Sequence, residues 1–192
     1  MREHGINSDD MVISYLGSIG TWYMLEEMLA FYKCLQNLIP KTKFLFITND
    51  EPISVQKEAE KQGINMNNII CVNAQRREVP TYLSLSATSI YFIKPLYSKK
   101  ASSPTKTAEI LAIGIPIITN AGIGDSDDIL TKNNSGVLIN SFNEKEYLHA
   151  AKQIPLLLQT EKKHLRQTAE NYFSLAHGVE MYKQIYDKLL NE

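Results

Sequence analysis

The sequence predicts a doubly wound α/β fold built on a parallel sheet, and three observations carry that reading. Short, wholly apolar runs alternate along the chain with helical patterns, and such runs suit strands covered by helices on both faces. The 192 residues, 44% of them hydrophobic, suffice for one well-buried domain. Residues 102–120, SSPTKTAEILAIGIPIITN, read in immediate succession as a turn, a helix, a glycine stop and a β-branched strand.

The elements follow in order. Met1 to Asp10 is polar and aperiodic, and Met11 to Leu16 is a first strand. Leu25, Met28, Leu29 and Tyr32 recur at i, i+3, i+4 and i+7, marking a helix that ends near Pro40. Phe44 to Thr48 is a second strand, and Pro52 to Lys61 is a second helix stopped by Gly63. Ile69 to Val72 and Ile90 to Ile93 are further strands, separated by a shorter helix over Pro80 to Ala87. The next helix opens with Pro104 at its first position, where a missing N–H costs nothing, and stops at Gly114. Ile115, Ile117, Ile118 and Thr119 form the strand after it. From Asn143 onward the pattern is helical, with Pro155 either kinking one helix or opening the next. Val179, Tyr182, Tyr186 and Leu189 make an apolar stripe on the last helix. The expected division is a linker at 1–10, an α/β domain at 11–175 and a terminal helix at 176–192, with ligand at the carboxyl edge of the sheet.

Bulk properties exclude several functions. A net charge of −1 gives no electrostatic case for nucleic acid. No apolar run approaches the roughly 20 residues of a membrane span, and no secretory signal opens the chain. Cys34 and Cys71 read as small buried thiols of a reducing cytosol. The four histidines, His4, His149, His164 and His177, are scattered without metal-ligand spacing.

The turn at residues 102–106 is the strongest candidate site. A helix N-terminus there offers free backbone amides, with Ser102, Ser103, Thr105 and Lys106 beside them, which makes an anion site. Ser103 also reads as an N-cap. Lys106 opposes the positive end of the helix dipole, so stability does not explain it, whereas phosphate binding does. Glu109, one turn further, suits a sugar diol, and a phosphate beside a ribose describes a nucleotide. Gly17-Ser18-Ile19-Gly20-Thr21 joins the first strand to the first helix, with Thr21 as N-cap, and its glycines let a pyrophosphate approach the backbone. The spacing is G-x-x-G, and Asp50 lies well beyond the roughly 20 residues of a dinucleotide fingerprint, which argues against NAD. Gly122-Ile123-Gly124-Asp125 reads either as a ligand loop or as a bare turn capped by Asp125. Arg76, Arg77 and Glu78 read as a solvated loop, with an arginine reaching a diphosphate as the alternative.

The Ser-Ser-Pro-Thr-Lys run, Glu109 and Leu111-Ala112-x-Gly114-x-Pro116 resemble the donor-binding signature of the retaining group 1 glycosyltransferases of GT-B fold. The similarity begins at Tyr15-Leu16-Gly17-Ser18-Ile19-Gly20 and passes Glu78-Val79-Pro80-x-Tyr82-Leu83 and Gly136-Val137-Leu138-Ile139. It closes on Tyr182-x-x-Ile185-Tyr186-x-x-Leu189-Leu190. The resemblance implies a Rossmann-like half of a GT-B enzyme that binds a nucleotide-diphosphate sugar such as a UDP-sugar. The diphosphate would lie on Gly17, Ser18, Ser102, Ser103, Thr105 and Lys106, the ribose on Glu109, and the base near Asn73, Ala74 and Val79. Many members clamp the diphosphate with an Arg and a downstream Lys near the first turn. Here Ser18 stands at the Arg position and no lysine precedes Lys33, so Lys106 is the natural substitute. The second glutamate of the family's E-x7-E motif aligns with Glu109, whereas the first falls at Ala101 and is missing.

The same resemblance implies no cofactor, no metal and no certain catalytic residue in this chain. It implies an acceptor-binding N-terminal domain that is absent here, isolated inactivity, and a terminal helix packed on that absent half. It places the full enzyme in the cytoplasm, peripherally at the inner face of the membrane, in cell-envelope polysaccharide synthesis. Two alternatives stand beside it. A nucleotide-sugar epimerase of the same fold needs acid–base carboxylates and histidines facing the cleft, of which the chain offers few. A flavodoxin-like interaction module is suggested by Asp9 and Asp10, but Val72-Asn73 lacks the aspartate a phospho-receiver needs.

Overall fold

A computed structural model of the chain describes residues 5–191, so the first four residues of the expected linker lie outside the described ones. Among the described residues six strands form one parallel sheet: β1 (Met11–Leu16), β2 (Thr42–Ile47), β3 (Ile69–Val72), β4 (Thr88–Tyr91), β5 (Ile117–Asn120) and β6 (Gly136–Ile139). Their order is β3-β2-β1-β4-β5-β6, with β1 in full register against β2 from Met11↔Thr42 to Leu16↔Ile47. The winding reverses between β1 and β4, which opens a crevice at their carboxyl ends.

Helices α1 (Leu25–Leu38), α2 (Ile53–Lys61), α3 (Val79–Leu83), α4 (Thr105–Ile113), α5 (Ser126–Lys132) and α6 (Glu144–Leu157) connect and flank the strands. The chain ends in α7 (Lys162–Phe173) and α8 (Leu175–Leu190). The apolar stripe of α1 is buried as its periodicity requires, at Met28, Leu29, Phe31, Tyr32 and Leu35. Helix α1 packs against α6, and α4 against α7. Phe31, Phe92 and Tyr147 interlock in this layer, with Phe31 edge-on to both. Asn143 is the N-cap of α6, its side chain accepting the Glu146 N–H at 3.0 Å, and Pro155 lies inside the last turn of the same helix.

Several boundaries differ from the sequence reading for identifiable reasons. Strand β4 starts at Thr88 rather than Ile90, because two buried hydroxyls are satisfied by backbone. Thr88 Oγ1 donates to Pro116 O and Ser89 Oγ to Ser14 O, each at 2.9 Å. Helix α3 stops at Leu83, well short of Ala87. Gly114 takes the expected left-handed conformation (φ +82°), but Ile115 belongs to that cap, its N–H donating to Ile110 O at 3.2 Å. Strand β5 therefore begins only at Ile117.

Pro104 is the N-cap of α4, not its first residue, so Ser103 lies outside the cap position. Thr21 is no N-cap either. It sits at φ +55° in a loop that crosses the sheet edge, while α1 is capped at Met24. That loop is held by an antiparallel bridge between Tyr23 and Ile93 and by the Met24 N–H donating to Phe92 O at 3.0 Å. Cys34 and Cys71 are free and only partly buried. Helix α8 has no buried residue. Its Leu175, Val179, Tyr182, Tyr186 and Leu189 are exposed, so the expected apolar stripe is present but uncovered.

Candidate functional site

The crevice between β1 and β4 brings together the two turns that the sequence singled out. Gly17, at φ +120°, follows β1, and a Cβ there would lie 3.0 Å from Lys106 Nζ. Glycine is therefore required both by conformation and by the approach of the lysine. Lys106 enters from the first turn of α4 and is only 7% exposed.

Its ammonium lies over aromatic faces supplied by three separate segments. Nζ is 3.4 Å from the ring centre of Tyr23, 4.4 Å from that of Tyr15 and 5.7 Å from that of Tyr91. It donates a long hydrogen bond, 3.4 Å, to the Tyr15 hydroxyl, which itself donates to the Ser18 carbonyl. Tyr91 is fixed from below by its hydroxyl contact with Thr107 Oγ1 at 2.7 Å. Among the described residues no carboxylate pairs with Lys106. Burial pushes its ammonium down to about 7, against the opposing pull of Glu109. The ring faces favour the charged form as well. Burial likewise raises the Tyr15 and Tyr23 hydroxyls.

The backbone around the lysine divides into occupied and open donors. The Gly17 N–H donates to Ile47 O at 3.0 Å, and the Ile19 N–H donates to the Asp50 carboxylate. Among the described residues the amides of Ser18, Ser103, Thr105 and Lys106 make no hydrogen bond within the protein. Ser103 and Thr105 are exposed and Ser102 half-buried, so their hydroxyls stand at the mouth of the turn. The Gly122–Asp125 loop supports this turn from behind: a Cβ on Gly124 would lie 1.9 Å from the Ser102 carbonyl oxygen. Asp125 makes no side-chain cap. Asp127 accepts the Gly122 N–H instead, at 2.9 and 3.1 Å.

Beside Gly17 and Ser18 lies a cleft of about 210 Å³ lined further by Thr48, Ala74, Arg76 and Val79. Val79 and Ala74 thus form its wall, while Asn73 is exposed and is not among its lining side chains. Glu109 is 26% exposed and forms an ion pair with Arg76, Nη1 to Oε1 2.6 Å. Of the Arg76-Arg77 pair, expected in a solvated loop or at a diphosphate, Arg76 is the one that lines this cleft, and its ion pair with Glu109 is a contact that the sequence does not signal. Trp22, the sole tryptophan, is part of the loop over β4 and carries Lys99 Nζ 4.0 Å from its ring. Among the described residues no three His, Cys, Asp or Glu side chains cluster to hold a metal ion. No helix among them is long and apolar enough to cross a membrane.

The comparisons with known proteins bear on the fold and the family. No curated protein matches the sequence. Among solved structures the fold is similar to that of WaaG, a glycosyltransferase involved in lipopolysaccharide biosynthesis. The identity is 16% and the TM-score 0.73, over 90% of this chain and 46% of that one. It is similar also to a sucrose-phosphate synthase from Thermosynechococcus elongatus, with 16% identity and TM-score 0.76, over 99% and 48%. A third is the C-terminal domain of the glycosyl transferase group 1 family protein LpcC from Francisella tularensis. There the identity is 14% and the TM-score 0.66, over 86% and 87%. The chain thus spans about half the length of the first two. Residues 1–172 match the family described as "Glycosyl transferases group 1", and the chain belongs to that family.

Proposed function

We propose that this chain is the donor-binding half of a retaining glycosyltransferase, which moves a sugar from a nucleotide-diphosphate sugar to a glycan or lipid-linked acceptor. The observation that carries this reading is Lys106. It is a buried cation without a carboxylate partner, aimed at a glycine turn beside the unused backbone amides of Ser103, Thr105 and Lys106. Burying a charge unpaired is costly unless something else supplies the counter-charge. A diphosphate seated across the two turns would supply it.

The chemistry follows from that placement. When the bond between the sugar's anomeric carbon and the diphosphate oxygen breaks, the electron pair stays with the diphosphate, and negative charge develops there. Lys106, the Ser18 amide, the α4 amides and the hydroxyls of Ser102, Ser103 and Thr105 are fixed in advance around that position, which lowers the barrier. Gly17 contributes by the absence of a side chain. Glu109 accepts from the ribose hydroxyls, and the base lies against Val79 and Ala74, near Asn73. On this reading the leaving charge is met by Lys106 and amides, without metal or cofactor. The acceptor is held by another domain, so the isolated chain binds donor nucleotide without turning it over. The enzyme works in the cytoplasm, peripherally at the membrane, and the free thiols Cys34 and Cys71 accord with a reducing compartment.

Calorimetric titration with UDP, GDP, ADP, UMP and NAD tests the site. At least one nucleoside diphosphate should bind more tightly than UMP and NAD. A monophosphate binding as well as its diphosphate, or a preference for NAD, would remove the diphosphate from the turn. An epimerase would instead bind its nucleotide sugar and show exchange at the sugar carbon in the isolated chain.

A further inference from the structure

We infer that Arg76 is a positioning residue that sets ribose specificity by holding the Glu109 carboxylate in place; this rests on the donor-site reading above. Glu109 follows Lys106 by three residues on α4 and so faces the same rim. A bare carboxylate there would repel the diphosphate that Lys106 attracts. Arg76 removes that conflict by pairing with Glu109 Oε1 at 2.6 Å. Among the described residues Oε2 makes no hydrogen bond or ion pair within the protein, so it stays available to accept from a diol hydroxyl.

The pair also spans the crevice. Arg76 comes from the loop after β3, and Glu109 from the helix between β4 and β5, on the opposite side of the winding reversal. The same arginine lines the cleft with Gly17, Ser18 and Val79. Fold stability does not account for the contact. The Arg76 side chain is 78% exposed, and ion pairs so exposed contribute little to stability. For that reason the arginine can be removed without unfolding the protein.

The test compares nucleotide affinities of the wild-type chain, Arg76→Ala, Arg76→Lys, Glu109→Gln and the Arg76→Ala/Glu109→Gln double variant. The probes are the tightest binder among UDP, GDP and ADP and its 2′-deoxy counterpart, measured by calorimetry. The wild type should prefer the ribonucleotide by about tenfold, and Glu109→Gln should bring that preference close to one. Arg76→Ala should lower the preference by about threefold or more while changing 2′-deoxynucleotide affinity little. Arg76→Lys should recover part of it, and the double variant should be no worse than Glu109→Gln alone. Equal losses for the ribo- and deoxynucleotide would overturn the inference, because Arg76 would then touch phosphate or base. So would an unchanged preference in Arg76→Ala, or additive losses in the double variant. A wild type that binds none of the three diphosphates sinks the donor-site reading and this inference together; the other failures sink the inference alone.

Discussion

Helices α4 and α8 place their side chains in opposite senses. The nine residues of α4 bury a lysine and a threonine along with Ile110 and Leu111. The sixteen residues of α8 bury nothing and leave Leu175, Val179, Tyr182, Tyr186 and Leu189 in water. Each departs from what stability alone would choose, since lysine is almost never fully buried unpaired and large apolar surfaces are normally covered. The departures differ in kind. Around Lys106 the fold has built a three-ring cage from β1, the loop after it and β4, so the charge is tolerated at a defined place. Around α8 nothing comparable has been built: it leans on α7 and offers its stripe outward.

The largest effect expected from this contrast is on stability against pH. The folded-state pKa of Lys106 is lowered to about 7 from its ordinary 10.5. Below pH 7 both folded and unfolded chains carry the proton, and the burial cost is fully present. Between pH 7 and 10.5 the unfolded chain holds a proton that the folded one has lost, so stability rises with pH through that window. Lys106→Met keeps the stem and removes the charge. Urea denaturation at pH 6.5 should find it more stable than wild type by on the order of 2–4 kcal/mol, the ring contacts moderating the figure. The gap should narrow as pH approaches 10. Tyrosine ionisation affects both proteins and cancels in the difference. A gap that does not depend on pH would mean the lysine is accommodated as a cation, and the contrast with α8 would lose its energetic half.

Ligand affinity is the next largest effect, with the opposite sign. Lys106→Met removes a charge-assisted phosphate contact, a class worth roughly 1.5–3 kcal/mol, so diphosphate affinity should fall about ten- to a hundredfold. The loss should shrink in high salt, because part of it is screened attraction. A bound diphosphate also favours the charged lysine. Wild type at pH 8 should therefore take up a proton on binding, seen as a binding enthalpy that changes with the buffer's ionisation heat, and Lys106→Met should not. Trp22, alone in the chain and one residue from Tyr23, provides an optical signal for the same titration. A variant more stable than wild type that binds UDP, GDP and ADP equally well would make Lys106 a structural residue and the proposed site wrong.

How much of this was legible in the sequence follows from how local each signal is. β1, β2 and β3 were readable because apolar runs mark strands buried on both faces. β4 began two residues early because Thr88 and Ser89 satisfy their hydroxyls on carbonyls of neighbouring segments, and hydropathy alone does not register that. The turn at 102–106 stood out because a lysine at a positive helix end is a local misfit. The tyrosine cage did not, since Tyr15, Tyr23 and Tyr91 are joined only by the winding of the sheet. The pairing of Arg76 with Glu109 is unreadable for the same reason: the two lie 33 positions apart, across the crevice. Ser103, Thr21 and Asp125 all have side chains that suit an N-cap, whereas the caps fall on Pro104 and Met24, and Asp125 occupies its position without a side-chain bond.

The smallest effect belongs to α8, where the contrast is easiest to break. A helix that buries no residue adds little to the cooperative core, so a chain ending at Ser174 should melt within about 2 °C of the full one. Its apolar face, left in water, should nonetheless drive association. Sedimentation of the full chain over a rising concentration series should show self-association that the shortened chain lacks. A melting temperature several degrees lower in the shortened chain would show that α8 packs on the domain in solution, and the two helices would then differ only in degree. Unchanged association together with unchanged melting would show that the stripe does not act as a contact surface in this chain, and the contrast with the caged lysine would then rest on burial alone.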